Sequence, residues 1–210
     1  MTRTRSASWT ALVALLFTAT LTRAADEAPA GIKLGDPAPM ADVQMKAVDG
    51  KELSLGEVKG KNGLLVVFAC NACPFVKAWH DRIVTLGNAY SERGVGVVMV
   101  NANDPGKVPA DGYAEMQERA KSGGYKFAYV VDGTSKIARA FGAAHTPEAF
   151  LFDARGQLVY HGAIDDNAKE ADKVEHPYLK DALEAVASGK EVAVKETKAL
   201  GCSIKYRAGA

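Results

Sequence analysis

The hydrophobic residues of this chain form short apolar runs separated by stretches with helical spacing. Apolar runs rich in valine and other β-branched residues are typical of strands buried on both faces of a sheet. Five segments have the composition of strands, at residues 64–68, 95–100, 127–131, 149–153 and 157–161. The sequence Ala-Arg-Gly between the last two segments predicts a β-hairpin.

Helical spacing follows most of these strands. A long helix is predicted from Phe75 to about Ser91, because its apolar residues recur at intervals of three or four. Shorter helices are predicted at residues 111–121, 135–141 and 177–188. The order β-α-β-α-β-α-β-β-α predicts parallel strands with right-handed crossovers, completed by an antiparallel hairpin. We find no internal repeat and no second hydrophobic core, so one domain is expected.

Two shorter strands are predicted ahead of this pattern. They lie near residues 43–47 and 52–55, and the Asp49-Gly50 dipeptide between them is a hairpin turn signal. The domain therefore carries an N-terminal β-hairpin before its first buried strand.

The first 24 residues have the layout of a secretory signal peptide. Arg3 and Arg5 precede an apolar run at residues 11–21, and Ala24 is a small residue at the expected cleavage position. The run is too short for a comfortable membrane span, so we expect no stable membrane insertion after signal removal. The sequence predicts a secreted or periplasmic protein.

The composition indicates a globular protein with no polyanionic partner. The chain is 48% hydrophobic and 24% charged, and removal of residues 1–24 leaves 23 basic and 25 acidic residues. A net charge near −2 gives no indication of nucleic acid or an anionic membrane surface as partner. We expect residues 25–33 to be a linker, residues 34–190 the domain and residues 191–210 a charged C-terminal tail.

Three cysteines carry the candidate chemistry. Cys70 and Cys73 lie at the turn from the buried strand into the long helix, and Cys202 lies in the tail. Two thiols at this spacing can close a small disulfide ring, and the helix N-terminus stabilises a thiolate. Disulfides persist in exported proteins, and an odd number of cysteines leaves at least one thiol free or transiently paired. One such pair does not supply the four ligands of a structural zinc site.

Pro74 leaves open which cysteine of the pair is the nucleophile. Proline suits the first position of a helix and keeps the preceding residue out of the helical region. Cys73 would then be the N-cap, with its sulfur facing the free N–H groups of the helix. Local geometry therefore makes Cys73 a candidate nucleophile beside Cys70.

These motifs together resemble the thioredoxin fold: a strand, Cys-x-x-Cys, a helix, and a later Thr-Pro before a strand. Residues 34–39 and 49–55 are further similar to the alkyl hydroperoxide reductase/thiol-specific antioxidant (AhpC/TSA) branch. The sequence Cys-Asn-x-Cys-Pro-Phe-Val-Lys and the terminal Gly-Cys-Ser-Ile-Lys-aromatic are similar to peroxiredoxin-like thioredoxin-family proteins. The resemblance covers about residues 32–206. It implies an α/β, thioredoxin-like fold with a central mixed sheet flanked by helices and an N-terminal β-hairpin extension.

The resemblance also implies an antioxidant-type thiol–disulfide oxidoreductase that needs no cofactor or metal. Its partners would be protein or small-molecule thiols and disulfides. Cys70 would attack the substrate and Cys73 would resolve the mixed disulfide. Pro147 would be the cis-proline that faces the pair, and Thr146 would offer backbone groups to a bound substrate. The chain departs from thioredoxins at Ala69, where an aromatic residue is usual, and it lacks their buried acid near the central strand.

Three further residues are auxiliary candidates. Glu148 is either a proton acceptor near the thiols or a solvated surface acid. His145 is a candidate for tuning a thiolate or binding a metal. Cys202 is either a thiol in an unstructured tail or part of a docked strand, since Ile204 and Tyr206 alternate with polar residues. A resolving role for Cys202 requires it to lie beside the active-site turn.

Two alternative functions stay open. In a peroxiredoxin-like, thiol-dependent peroxidase, Cys73 would be the peroxidatic cysteine, and Cys70 or Cys202 would resolve its sulfenic acid. Cys70 then stands where that family has threonine, and the arginine of that family has no evident counterpart. In a copper-binding protein, Cys70, Cys73 and His145 would be the ligands.

Overall fold

The computed structural model describes Met1 and residues 31–208. Apart from Met1, the expected signal peptide lies outside the described residues, and so does most of the predicted linker. No helix within the described part of the chain has the length and apolar character needed to cross a membrane.

The described residues form an alternating α/β chain. In chain order its helices and strands are β1 (Met45–Ala47), β2 (Glu52–Leu53), α1 (Leu55–Val58), β3 (Gly63–Phe68), α2 (Pro74–Glu92), β4 (Val95–Asn101), α3 (Tyr113–Ser122), β5 (Ala128–Val131), α4 (Lys136–Phe141), β6 (His145–Thr146), β7 (Glu148–Asp153), β8 (Leu158–Gly162), α5 (Tyr178–Ala187) and β9 (Cys202–Ser203). Short 3-10 turns lie at Pro109–Asp111 and Ala171–Lys173.

The strands build the central mixed sheet that the sequence predicts. One group is ordered β2-β1-β5-β4 and the other β3-β7-β8. The groups meet along β3 and β4, where the Ala69 N–H donates to the Val100 carbonyl at 3.0 Å. β4 and β5 are parallel, whereas β7 is antiparallel to both β3 and β8. The hairpin of β1 and β2 extends the sheet at the edge of β5, so the predicted N-terminal extension is confirmed.

The hydrophobic core lies on both faces of this sheet, and β3 is buried along its whole length. On one face Leu65 and Val67 pack with α2, α5 and the cysteine pair. On the other face Val66 and Phe68 pack against aromatic residues that include Phe150. The cysteine pair thus belongs to the apolar face that α2 covers, which keeps water away from its sulfurs.

Two predicted elements have different limits in the structure. The strand predicted at residues 52–55 ends at Leu53, because Ser54 and Glu57 form a capping box that starts α1. The helix predicted from Asp111 starts at Tyr113, because Asp111 belongs to a 3-10 turn.

The C-terminal segment packs against the domain instead of extending from it. Val192 and Ile204 are buried, and β9 pairs with β6. The His161 N–H donates to the Lys195 carbonyl at 2.9 Å, and the Thr197 N–H donates to the His161 carbonyl at 3.0 Å. The predicted docked strand is confirmed, and this segment belongs to the folded unit.

Candidate active site

The sequence Cys70-Asn71-Ala72-Cys73 forms the turn between β3 and α2. Pro74 occupies the first turn of α2, and Cys73 is its N-cap with an extended backbone (φ −63°, ψ 123°), as the proline predicts. Both cysteines of the pair are only 2% exposed, and all three cysteines of the chain are free thiols. The turn therefore holds two buried thiols at the positive end of a long helix.

Asp111 holds the two central residues of this turn. Its buried carboxylate accepts the N–H groups of Asn71 and Ala72 at 2.6 and 3.0 Å, and a side-chain N–H of Asn103 at 2.8 Å. Sequence reasoning missed this residue. No local pattern identifies it, since its backbone partners lie about forty positions earlier in the chain.

Thr146 and Pro147 lie across from the cysteine turn, and the peptide bond between them is cis, as the resemblance implies. The Thr146 Oγ1 lies 3.4 Å from the Cys70 Sγ. The Thr146 carbonyl oxygen lies 2.9 Å from the Cys73 Sγ, which donates to it when protonated. The structure thus brings the predicted pair and the predicted Thr-Pro together.

Cys202 lies beside this turn, which is the condition for a resolving role. Its strand, β9, runs antiparallel to β6 and places Cys202 opposite Thr146. The Cys202 Sγ lies 2.9 Å from the Cys73 Sγ. Gly201 allows this approach, because a Cβ there would lie 2.2 Å from the Thr146 carbonyl oxygen. The sulfur of Cys73 therefore contacts a third cysteine that is distant in sequence.

The three thiols differ in acidity because of these contacts. Hydrogen bonding from Cys70 and then from Cys202 outweighs burial and lowers the pKa of Cys73 to about 4. The same contact with Cys73, together with burial, raises the pKa of Cys70 far above its ordinary value. Burial and the contact with Cys73 raise the pKa of Cys202 to about 11. These opposite shifts favour the ionised form of Cys73 over that of Cys70, which agrees with the argument from the start of the helix.

Glu148 holds the loop that carries Thr146. Its buried carboxylate accepts the N–H groups of Ala144 and His145, each at 2.8 Å, and lies 2.7 Å from the His161 Nε2. Burial raises the pKa of Glu148, but the hydrogen bonds from His161, His145 and Ala144 outweigh it, so the pKa is lowered. The interpretation of Glu148 as a solvated surface acid is wrong, since the residue is only 4% exposed. His161 was also missed from the sequence.

The copper ligands considered from the sequence do not converge. The His145 side chain is partly exposed, and its Nδ1 lies 3.9 Å from a carboxylate oxygen of Glu148. Among residues 31–208, the three metal-type ligands whose atoms lie within 4.8 Å of one another are Asp166, Glu175 and His176, all exposed. The described residues therefore contain no preformed copper site made of Cys70, Cys73 and His145.

A Cys-x-x-Cys turn at a helix start, facing a cis Thr-Pro on a central mixed sheet, defines a protein of thioredoxin-like fold. The chain belongs to the Redoxin family, whose sequence profile matches residues 33–181.

Three relatives are informative. A hypothetical protein from Sinorhizobium meliloti 1021 is 36% identical in a match over 85% of this chain and 97% of that chain, with a TM-score of 0.78. The thiol-disulfide oxidoreductase ResA of Halalkalibacterium halodurans is 26% identical over 115 residues, which span 55% of this chain and 61% of ResA. The bacterioferritin comigratory protein of Xanthomonas campestris is 19% identical over 75% of this chain and 97% of that chain. Its TM-score of 0.53 and low identity show the fold alone.

Proposed function

We propose that this chain is an exported thiol–disulfide oxidoreductase whose redox pair is Cys70 and Cys73. The observation that carries the proposal is the position of the two sulfurs, buried at the start of α2 and in contact with Thr146. Membership in the Redoxin family and the similarity to ResA over 115 residues support this chemistry. The predicted signal peptide supports export, and the partners are protein or small-molecule thiols and disulfides.

We assign the reactive thiolate to Cys73, because its pKa is lowered while that of Cys70 is raised; this assignment exchanges the roles that the family resemblance implies. The thiolate attacks one sulfur of a disulfide, and the other sulfur of that disulfide leaves as a thiolate. Cys70 then attacks the Cys73 sulfur of the mixed disulfide, which forms the Cys70–Cys73 disulfide and releases the second thiol. The substrate gains two electrons and the pair loses two. The reverse sequence oxidises a dithiol, and the reduction potential decides the direction.

Thr146 and Glu148 act as positioning residues in this proposal. Thr146 positions both sulfurs, because its hydroxyl group lies beside the Cys70 sulfur and its carbonyl group beside the Cys73 sulfur. Glu148 holds the backbone of the preceding loop through Ala144 and His145. Because the lowered pKa keeps Glu148 ionised and its oxygens are already hydrogen-bonded, we assign it to holding the loop and not to accepting protons.

The redox pair is tested by equilibrium with oxidised and reduced dithiothreitol, followed by alkylation and mass spectrometry. The Cys202→Ser variant isolates the pair, and we expect it to form the Cys70–Cys73 disulfide reversibly. The matched control Cys70→Ser/Cys202→Ser has one thiol and forms no intramolecular disulfide. If both sulfurs of Cys202→Ser stay open to alkylation at every ratio, the proposed function is wrong.

The peroxidase alternative is tested by measuring how fast hydrogen peroxide oxidises the reduced protein. The hydrogen-bonding partners described for the three sulfurs include Thr146 but no arginine. A missing transition-state donor costs a factor of about 10²–10³ in rate. We therefore expect peroxide to oxidise the reduced protein little faster than a free thiolate. A rate constant within tenfold of an efficient peroxiredoxin, lost in Cys73→Ser, would establish a peroxidase instead.

A further inference from the structure

We propose that Cys202 is a third redox cysteine, which exchanges a disulfide bond with Cys73 and presents it to thiols outside the protein. This inference rests on the proposed function, because the disulfide that Cys202 receives is the one between Cys70 and Cys73. Cys202 would thus connect a buried redox pair to its substrates.

The positions of the sulfurs favour direct exchange. The Cys73 Sγ lies 2.9 Å from the Cys202 Sγ, and Cys70 lies at the other end of the same turn. Cys73 therefore has two alternative disulfide partners, Cys70 in its own turn and Cys202 in β9.

The backbone around Cys202 holds it in this place. β9 pairs with β6, and beyond it the Ile204 N–H donates to the Ala144 carbonyl at 2.9 Å. The Lys205 N–H donates to the Asn103 side-chain oxygen at 2.8 Å, and the Tyr206 hydroxyl donates to the Ala143 carbonyl. Cys202 is thus preorganised against Cys73 by hydrogen bonds on the strand and on the residues that follow it.

Cys202 is more accessible to solvent than Cys70 and Cys73 are. Cys70 and Cys73 are each 2% exposed, whereas Cys202 is partly exposed. The edge of Thr146, which the resemblance assigns to substrate, is covered by Cys202 itself. An external thiol therefore reaches the sulfur of Cys202 before it reaches either sulfur of the pair.

Disulfide exchange between the Cys70–Cys73 pair, Cys202 and the substrate needs no reactant other than the substrate thiols. The Cys202 thiol loses its proton as its sulfur attacks the Cys73 sulfur of the Cys70–Cys73 disulfide, the bond to Cys70 breaks, and Cys70 takes up the proton. An external thiolate then attacks the Cys202 sulfur, and Cys73 leaves as a thiolate. Cys73 is a good leaving group because its pKa is lowered to about 4. A second external thiol attacks the mixed disulfide, which releases Cys202 and an oxidised substrate. The two electrons lost by the substrate reduce the protein.

The first test asks whether Cys73 and Cys202 form a disulfide. Cys70→Ser retains only these two thiols, and it is equilibrated with oxidised and reduced glutathione, alkylated and mapped by peptide mass spectrometry. We expect an intramolecular Cys73–Cys202 disulfide in more than half of the molecules at a ratio that oxidises the natural chain.

The matched control moves the tail thiol by one residue. Cys70→Ser/Cys202→Ser/Ser203→Cys has the same number of thiols, but residue 203 is exposed and points to the other side of β9. We expect this control to bind glutathione in place of forming the intramolecular disulfide. Equal yields of intramolecular disulfide in both variants, or none in Cys70→Ser, would overturn the proposal.

The second test separates this inference from the proposed function. We expect Cys202→Ser to form the Cys70–Cys73 disulfide in the glutathione buffer but to oxidise a cysteine-containing peptide at least tenfold more slowly than the natural chain. If the disulfide forms and the peptide rate is unchanged, Cys202 takes no part and the oxidoreductase stands. If the Cys70–Cys73 disulfide does not form, the proposed function itself fails.

Discussion

Among the residues of this site, Cys73 has the sulfur that contacts both Cys202 and Thr146, and Cys70 contributes most to its lowered pKa. Hydrogen bonding from the Cys70 and Cys202 thiols lowers the pKa of Cys73, whereas burial of its sulfur raises it. The hydrogen bonds outweigh burial, and the pKa falls from an ordinary 9.0 to about 4. Ionisation of Cys73 therefore stabilises the reduced fold at high pH, and this contribution is lost progressively as the pH falls from about 9 to about 4.

Replacing Cys70 should raise the pKa of Cys73 by an amount that depends on the new side chain. Cys70→Ala removes the donor that contributes most to the lowering, so the pKa of Cys73 should rise by about one unit or more. Cys70→Ser keeps a hydroxyl donor and should shift the pKa less. The measurement is the pH dependence of thiolate absorbance near 240 nm, with Cys73→Ser as the blank. A transition at the same pH in Cys70→Ala and the natural chain would show that Cys70 does not set the acidity.

At the scale of elements, the cysteine turn depends on a segment outside its own strand and helix. The 3-10 turn at Pro109–Asp111 supplies the carboxylate that binds the N–H groups of Asn71 and Ala72. Asn103 binds the same carboxylate and also the Lys205 N–H, so one polar network joins the cysteine turn to the C-terminal segment.

Asp111→Ala should loosen the cysteine turn. It leaves the N–H groups of Asn71 and Ala72 without their acceptor, and a hydrogen bond to a charged group contributes about 1.5–3 kcal/mol. We expect the free energy of unfolding to fall by at least that amount, and the Asn71 and Ala72 amides to exchange with deuterium faster than other loop amides. Asp111→Asn keeps an oxygen acceptor and should show a smaller effect.

Glu118 on α3 provides the control for this prediction. It is exposed, so Glu118→Ala should change the free energy of unfolding by less than about 0.5 kcal/mol. Unchanged amide exchange at Asn71 and Ala72 in Asp111→Ala would contradict the role given to Asp111.

At the scale of the whole molecule, the C-terminal segment completes the hydrophobic core as well as the site. Ile204 is 6% exposed and packs in the cluster on the face of the sheet opposite the cysteines. The same segment also covers the edge of β6. We therefore expect this segment to fold together with the domain and to place Cys202 beside Cys73 in the same transition.

Ile204→Ala should destabilise the whole protein by about 2–5 kcal/mol, because it removes a buried side chain and leaves a cavity. Val194→Ala in the same segment is the matched control, since Val194 is 48% exposed and should change stability by less than about 0.5 kcal/mol. Urea unfolding followed by fluorescence measures both variants. Equal stability of Ile204→Ala and the natural chain would mean that the segment is not part of the cooperative fold.

The sequence by itself determined the elements that depend on near neighbours. The apolar run of β3, the spacing of α2 and the Asp49-Gly50 turn each contain their own signal. Pro74 likewise determined that Cys73 is the N-cap of α2, because a proline acts on the residue beside it. The family resemblance added the cis Thr146-Pro147 opposite the pair.

Only the tertiary structure decided which distant groups complete the site. The contact of Cys202 with Cys73 spans 129 positions, and the hydrogen bonds from Asn71 and Ala72 to Asp111 span 40 and 39. Glu148 and His161 meet because β7 and β8 form a hairpin, which buries a carboxylate that the sequence leaves free to be a surface acid. Such contacts have no periodicity along the chain. They arise when the packing of the sheet brings strand ends and loops to one place, and they lower the pKa of Cys73 while that of Cys70 is raised.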